Sequence, residues 1–195
     1  YPFMLKKLLL HLADGQFHSG EALGEAMGVS RAAVWKQLKK LEELEVPFSS
    51  VKGKGYRLHD PIELLDEADI RSAVSQRLDC LELLLEVNST NTYLFERASD
   101  HMGKRYAVLA EKQSKGRGRR GRQWISPFGR NIYLSLLVSF SGGMSALEGL
   151  SLTVGIAVEK ALSRLGIDGV GLKWPNDVYA DGRKLAGILL EVTGE

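Results

Sequence analysis

The sequence predicts an α+β protein in which a small helical domain precedes a larger domain built on a mixed β-sheet. Leucines recur at helical spacing over roughly the first 45 residues, and a glycine-rich hairpin pattern follows them. Pro61 then breaks the pattern, because a proline disfavours helix at the residue before it. Beyond this point strand-like and helix-like segments alternate, as in a mixed sheet covered by helices. We therefore expect one domain over residues 1–60 and another over residues 61–195.

Composition limits the classes of protein that this chain can belong to. It has 195 residues, 44% of them hydrophobic, which is enough to bury a core. The net charge is only +2, so any affinity for nucleic acid must come from local clusters of charge. The single cysteine, Cys80, excludes an intrachain disulfide and a cysteine zinc site and fits a reducing compartment. No apolar run approaches the ~20 residues of a membrane helix, so we expect a cytoplasmic protein without a membrane partner.

Three helices are predicted at the N-terminus from leucine spacing and capping residues. The first carries its leucines at helical spacing and ends at Asp14, which a glycine follows. Ser19 is expected to cap a second helix that stops at Gly28, and Ser30 to cap a third. The apolar face of the third helix comprises Val34, Leu38, Leu41 and Leu44. A helix, a tight turn and a second helix in this order form a helix-turn-helix.

The face of the third helix opposite its apolar side is expected to enter the major groove of DNA. Strands Phe48–Val51 and Tyr56–Leu58 flank a Lys-Gly-Lys-Gly turn and make a hairpin wing that can touch phosphate. Small three-helix units also serve as interaction or dimerisation modules, but the basic helix and the lysine-tipped wing together favour DNA. The candidate DNA-binding residues are Ser30, Arg31, Ala32, Trp35, Lys36, Lys39, Lys52 and Lys54.

The second domain is predicted to contain six strands and three helices. The strands are Leu81–Val87, Tyr106–Glu111, Asn131–Ser139, Val170–Trp174, Asp177–Tyr179 and Lys184–Val192. The helices are Ile62–Ile70, Thr90–Ala98 and Ser145–Gly166. Of the strands, Asn131–Ser139 has the dense apolar character of a buried one.

One glycine-rich segment, Gln113–Trp124, carries five cations and no acidic residue; we call it the basic loop. Gly116, Gly118 and Gly121 satisfy the letters of the dinucleotide-binding pattern G-x-G-x-x-G. That pattern must open a helix and be followed about 20 residues later by an acidic residue. Pro127 prevents a helix here, and the acidic residue is missing, so we expect a different anionic ligand. A solvated basic loop or a nucleic-acid tether is the alternative.

Three other motifs carry polar groups suited to a ligand. Residues 88–91, Asn-Ser-Thr-Asn, lie where a strand ends and a helix begins, so they can bind a polar ligand or only cap the helix. Lys173–Asp177 presents a cation, an amide and a carboxylate, or forms a tight turn with solvated charge. Lys184 lies at the start of an apolar strand, and Gly187 nearby would let a ligand approach the backbone.

In this order, these motifs resemble the catalytic domain of biotin protein ligases. The resemblance covers residues 1–195 and depends on Ser89–Asn91, the basic loop, Lys173–Asp177 and Lys184–Gly187. Residues 31–38 also look like the third helix of the winged helix-turn-helix domain in the bifunctional members. The resemblance implies a winged helix-turn-helix domain followed by a mixed-sheet ligase domain, cut short before the C-terminal β-barrel of the family.

The resemblance implies a two-step reaction coupled to gene repression. The carboxylate of biotin attacks the α-phosphate of ATP, bound with Mg²⁺, to give biotinyl-5′-adenylate, and a lysine of the biotin carboxyl carrier protein then takes the acyl group. The adenylate-bound protein forms a homodimer that binds operator DNA and represses biotin-synthesis genes. The alternatives are a biotin-sensing regulator without ligase activity and a ligase for another carboxylate such as lipoate.

The resemblance also implies roles for individual residues. The catalytic residues would be Arg117, Arg119 and Lys184. The biotin site would comprise Ser89, Thr90, Asn91, Gln113, Arg117, Gly118, Arg119, Trp124, Ser135, Lys184, Gly187 and Leu189. The ATP side would comprise Arg119, Arg120, Arg122, Lys173, Asn176 and Asp177, with no metal site made by the protein alone. The basic loop is expected to become ordered over biotin or its adenylate. Asn88 and Lys112 depart from the family, in which acidic and aromatic residues are expected there.

Overall fold

The computed structural model describes residues 3–74, 77–141 and 147–193. The chain divides into two compact units, one comprising Tyr1–Gly116 and Ile125–Leu137, the other Arg117–Trp124 and Val138–Glu195. The predicted domain boundary near residue 60 lies inside the first unit and stays a prediction. None of the helices in the described ranges has the length and hydropathy required to span a bilayer.

The first unit begins with the three predicted helices, α1 (Phe3–Leu12), α2 (Gly20–Met27) and α3 (Arg31–Glu43). The predicted caps are confirmed. The Ser19 hydroxyl accepts a hydrogen bond from the amide of Ala22, and Ser30 serves α3 in the same way. Gly28 ends α2 with φ at 69°, in the left-handed region that favours glycine. The buried leucines of the three helices meet in one core.

The predicted wing is also present in the first unit. Strands β1 (Phe48–Val51) and β2 (Gly55–Leu58) pair antiparallel, with Phe48 opposite Leu58. Tyr56 forms a bridge to His18 that ties the wing to the chain before α2. At Gly55, where φ is 102°, a Cβ would collide with the carbonyl oxygen of His18. Only glycine fits this turn, so the wing is held at a set position against the helices.

A mixed three-stranded sheet completes the first unit. Its strands are β3 (Cys80–Val87), β4 (Tyr106–Gln113) and β5 (Tyr133–Leu137), with β4 in the centre. Strand β3 runs parallel to β4 and β5 runs antiparallel, so the predicted mixed sheet is confirmed. Helices α4 (Glu67–Val74) and α5 (Thr90–Phe95) belong to the same unit.

Several predicted boundaries in the first unit are wrong. The helix expected from Ile62 begins at Glu67, because the Asp66 carboxylate accepts the amides of Ala68 and Asp69 and starts the helix there. Helix α5 ends at Phe95, three residues early. The segment Asn131–Ser139 is strand only over β5, and it is not fully buried. Leu134 and Leu136, which lie on the same face of the edge strand β5, are about half exposed.

The second unit pairs one helix with an antiparallel sheet. Helix α6 (Leu150–Arg164) precedes β6 (Val170–Lys173), β7 (Asp177–Ala180) and β8 (Arg183–Gly187), which are joined in chain order. A Cβ on Gly155 would lie 3.1 Å from Leu172, so the glycine lets α6 pack closely on β6. Strand β8 ends at Gly187 and not at Val192. The predicted start of the helix at Ser145 lies outside the described residues.

Candidate functional site

The candidate DNA-binding residues lie at the N-cap of α3, on α3 and on the turn of the wing. All eight of them are exposed, including Trp35, which is 57% exposed although it is a large apolar side chain. Lys39 lies 5.3 Å from the Trp35 ring centroid and pairs with Glu42 at 2.8 Å. A groove of about 400 Å³ lies beside Arg31 and Trp35 and reaches Tyr56 of the wing. An exposed basic helix next to a lysine-tipped hairpin suits a groove and its phosphates.

A polar network forms in the first unit where β3 and β4 end. Thr90 donates from its backbone amide and its hydroxyl to the side-chain oxygen Oε1 of Gln113, at 2.9 and 3.1 Å. Ser135 donates to the Thr90 hydroxyl at 2.8 Å. Gln113 donates in turn to the hydroxyl of Ser126 at 3.0 Å. Three predicted biotin-site residues, separated by up to 45 positions, are therefore linked by hydrogen bonds.

Both interpretations of residues 88–91 find support. The Ser89 hydroxyl caps α5 by accepting the amide of Thr92 at 3.4 Å. Thr90 does more than cap, because its hydroxyl belongs to the polar network just described. Ser89 and Thr90 are buried and Asn91 is half-buried. Buried amides and hydroxyls of this kind suit a neutral ligand rich in hydrogen-bonding groups.

The part of the basic loop in the second unit is a tight turn. The Gly118 amide donates to the Arg122 carbonyl at 2.7 Å, and Arg117 forms a bridge to Gln123. Arg120 has φ at 56°, a left-handed conformation that is unusual for arginine. Arg119, Arg120 and Arg122 are all exposed. A ligand that binds several of them would offset the backbone strain, which is a common reason for strain at binding sites.

Two of the predicted catalytic cations are held by carboxylates of the second unit. Lys184 pairs with Asp177 at 2.6 Å and lies 5.1 Å from the ring centroid of Trp124. Arg117 pairs with Glu191 at 2.5 Å. An anionic substrate would therefore compete with these carboxylates, and the cations are already oriented before it arrives.

Other predicted residues of the second unit join this set. Arg119 donates to the Asn176 side-chain oxygen at 2.9 Å. A Cβ on Gly187 would lie 3.2 Å from the Trp124 ring and 3.3 Å from Lys184, which explains the glycine. The remaining ATP-side candidate, Lys173, lies over the Tyr179 ring at 4.9 Å. Gly118 and Leu189 are half-buried.

Two residues of these networks escaped the sequence prediction. Ser126 completes the polar network and is 5% exposed, and Glu191 pairs with Arg117. Ser126 lies two residues after Trp124 and could have been found from that proximity. Glu191 is 74 residues from its partner, and no local pattern indicates the pairing.

The donor set of the second unit fits a metal ion that arrives with its substrate. The described residues contain no group of three or more His, Cys, Asp or Glu side chains that could hold a metal by themselves. Mg²⁺ is usually bound by one or two carboxylates together with substrate phosphates. Asp177, whose carboxylate pairs with Lys184, supplies one such carboxylate.

Comparison with known proteins gives matches to both halves of the chain. The profile of the biotin/lipoate A/B protein ligase family matches residues 84–195, and that of an HTH domain matches residues 5–57. The bifunctional ligase/repressor BirA of Salmonella typhimurium is 48% identical over 188 residues. These residues make up 96% of this chain and 58% of that protein, so the chain spans less than two thirds of this relative.

Two solved structures resemble the chain over part of its length. The biotin protein ligase of Leishmania major in complex with biotin matches 58% of this chain and 52% of its own, with a TM-score of 0.54 and 33% identity. The biotin protein ligase of Aquifex aeolicus in complex with biotin and ATP matches 59% of this chain and 47% of its own, with a TM-score of 0.50 and 36% identity.

Proposed function

The chain belongs to the biotin/lipoate A/B protein ligase family, and we propose that it is a biotin protein ligase that also represses transcription. The network of Thr90, Gln113 and Ser135 carries the proposal, because its amides and hydroxyls match the neutral, hydrogen-bonding ureido ring of biotin. The relatives with biotin in their names and a BirA relative named ligase/repressor support it. We place the protein in the cytoplasm, where ATP and DNA are both available.

The proposed reaction has two steps. A carboxylate oxygen of biotin bonds to the α-phosphorus of Mg²⁺-bound ATP, the bond from that phosphorus to the bridging oxygen breaks, and pyrophosphate leaves. The ε-amine of a carrier-protein lysine then attacks the acyl carbon of biotinyl-5′-adenylate. A C–N bond forms, the C–O bond to AMP breaks, and the amine loses a proton. Neither step needs a covalent bond to the enzyme.

In this mechanism the cations of the second unit bind the negatively charged groups of both substrates. Arg117 and Lys184 exchange their carboxylate partners for the biotin carboxylate and acyl phosphate, and Arg119 holds the phosphate of the adenylate. Two anions that repel each other are thereby brought together by groups with fixed positive charge. Arg120, Arg122, Lys173 and Asn176 bind the polyphosphate. Asp177 would hold Mg²⁺ together with the phosphates, and the ion would supply positive charge there.

The remaining candidates of the biotin site shape or close the pocket. Ser89 and Asn91 hydrogen-bond to biotin beside the polar network, while Gly118 closes over it as part of the basic loop. Trp124, Gly187 and Leu189 form the apolar wall. The burial of Ser89 and the half-burial of Leu189 support this proposed allocation.

The repressor activity is assigned to the helical region. Its exposed residues on α3 and the wing would contact operator DNA, and a homodimer formed with adenylate bound would present two such surfaces. The acceptor in the second reaction step is the biotin carboxyl carrier protein.

Isotope exchange between ATP and pyrophosphate tests the ligase proposal on the full-length protein. Exchange that depends on biotin and not on lipoate is the expected result. Tight biotin binding without exchange would contradict the ligase and favour a regulator that only senses biotin. Exchange driven by lipoate would contradict the substrate.

A further inference from the structure

The last three residues of β4 connect the candidate biotin site to the DNA-binding region within the first unit. Gln113 belongs to the polar network of the biotin site. Lys112 and Glu111, the two residues before it, are both buried. Lys112 donates to the Leu44 carbonyl at 3.2 Å and to the Glu45 carboxylate at 2.7 Å.

The contact made by Lys112 is not an ordinary surface ion pair. Its side chain is only 9% exposed, whereas that of Glu45 is 81% exposed. A buried ammonium is tolerated only when its hydrogen bonds are satisfied, and the end of α3 supplies two of them. A residue of the central strand is therefore fastened to the helix that carries the candidate DNA-binding residues.

The backbone conformation of Glu45 is unfavourable for glutamate, which indicates that its side chain has a purpose at this position. Its φ is 61°, a left-handed conformation just after the end of α3, where glycine or asparagine is usual. Glutamate is strained there, and a glycine would relieve the strain. The side chain of Glu45 is used by Lys112, which gives a reason for a glutamate at this position.

Glu111 accepts two hydrogen bonds from backbone amides of other segments of the first unit. Its carboxylate accepts the amide of Leu65 at 2.8 Å, and its carbonyl accepts the amide of Gly129 at 2.9 Å. Phe128, next to Gly129, is 4% exposed and packs in the core of the N-terminal helices together with Leu44. Ser126 of this segment contacts Gln113, so residues 126–129 run from the polar network into the helical core.

We infer that Lys112, acting through Glu45, is a positioning residue that sets the orientation of the DNA-binding helices on the biotin-site strand. Phe128 packs in the core of the same helices; we call the contact of Lys112 with Leu44 and Glu45, together with Phe128, the joint. The inference rests on the proposed function, because an orientation matters to a dimer that must match two half-sites in DNA. Removing the contact between Lys112 and Glu45 should weaken operator binding and leave adenylate formation intact.

The test compares Lys112→Met and Glu45→Gly with a control, Lys104→Met, in the full-length protein. Lys104 is an exposed lysine beyond the other end of β4. The probe is a DNA duplex selected from a random pool by the wild-type protein in the presence of biotin and ATP. Operator Kd, biotin-dependent exchange and thermal unfolding are measured for each variant.

Lys112→Met and Glu45→Gly are each expected to raise operator Kd about 5- to 150-fold, the usual range for coupled sites. The KM for biotin and kcat of exchange should stay within about twofold of the wild type, and the control should change neither. Glu45→Gly relieves the backbone strain at this position, which offsets the loss of one hydrogen-bond acceptor for Lys112. We therefore expect its unfolding temperature to stay close to that of the wild type while its operator affinity falls.

Unchanged operator affinity in both joint variants would overturn the inference. A fall in operator affinity that merely follows a lower unfolding temperature would also overturn it. Failure of the wild-type protein to select any DNA would instead contradict the proposed repressor. The joint is then judged by amide exchange at residues 44–46, which must be faster in Lys112→Met than in the control.

Discussion

Arg119 is the exposed side chain that we propose holds the phosphate of the adenylate. It is anchored to Asn176 and flanked by a strained Arg120, so its guanidinium is presented on a defined turn. A guanidinium is suited to this task because it is always charged and binds phosphate through two parallel hydrogen bonds.

The variant Arg119→Gly is expected to release biotinyl adenylate early. Losing a charged hydrogen bond of about 1.5–3 kcal/mol should speed release about 10- to 150-fold. Freed adenylate would biotinylate lysines on a bystander protein, which a streptavidin blot measures. Normal retention of the intermediate would contradict the role of Arg119, and Arg77→Gly, at an exposed site of the first unit, serves as a control.

Thr90 tests the polar network in a similar way. Thr90→Val keeps the shape of the side chain but removes the hydroxyl that links Gln113 and Ser135. Unsatisfied buried partners cost about 1–3 kcal/mol, so the KM for biotin should rise about 5- to 150-fold. Steady-state exchange kinetics measure it, with Thr92→Val on the same helix as the control. An unchanged KM would mean that Thr90 only begins the helix.

Helix α5 depends on a second polar cluster, at the opposite end of the helix from Ser89. The Glu82 carboxylate accepts hydrogen bonds from Tyr106 and from Tyr93, the latter at 2.7 Å. Burial raises the pKa of Glu82, but the two tyrosines outweigh it and hold this pKa below its ordinary value of 4.5. Glu82 lies on β3, Tyr106 on β4 and Tyr93 on α5, so one carboxylate joins three elements.

The variant Tyr106→Phe should therefore destabilise the first unit. A hydrogen bond to a charged group such as the half-buried Glu82 is worth about 1–3 kcal/mol, and this is the expected loss in unfolding free energy at pH 7. Because the pKa of Glu82 is lowered by folding, its contribution is present above pH 4.5 and is lost as pH falls through the folded pKa. Urea denaturation of both proteins should show the difference shrinking below pH 4.5. A difference independent of pH would contradict this account.

We expect the wing to contribute to DNA binding through its charge, so that the salt dependence of binding measures the contribution. Lys52 and Lys54 are exposed on its turn. Replacing both by methionine should reduce the slope of log Kd against log salt by about 2, nearly one for each DNA phosphate that a lysine no longer neutralises. Fluorescence anisotropy at several salt concentrations measures the slope. An unchanged slope would exclude the wing lysines from the interface.

At the scale of the whole molecule, local patterns predicted the fold better than they predicted its connections. Ser19, Gly28 and Ser30 were found because capping depends on neighbours within one turn. The half-exposure of Leu134 and Leu136 on β5 was missed, because the exposure of a strand face depends on what other segments pack against it. The end of β8 at Gly187 was missed as well. The pairing of Lys112 with Glu45 joins residues 67 positions apart, and no local signal marks it.

The candidate site follows the same division. Its residue types and their order were recognised from motifs, whereas their partners were not. Lys184 looked like an isolated cation at the start of a strand, yet Asp177 neutralises it. The ordering of the basic loop over ligand stays a prediction, as does the role of each candidate residue.

The central claim is that the ligase site makes the signal that the DNA-binding region reads. Operator affinity of the full-length protein, measured with biotin and ATP and again with biotin and α,β-methylene-ATP, whose carbon bridge cannot be cleaved to release pyrophosphate, tests it most directly. We expect tight binding only with ATP, since only then can biotinyl adenylate form. Equal affinity in the two conditions would contradict the claim.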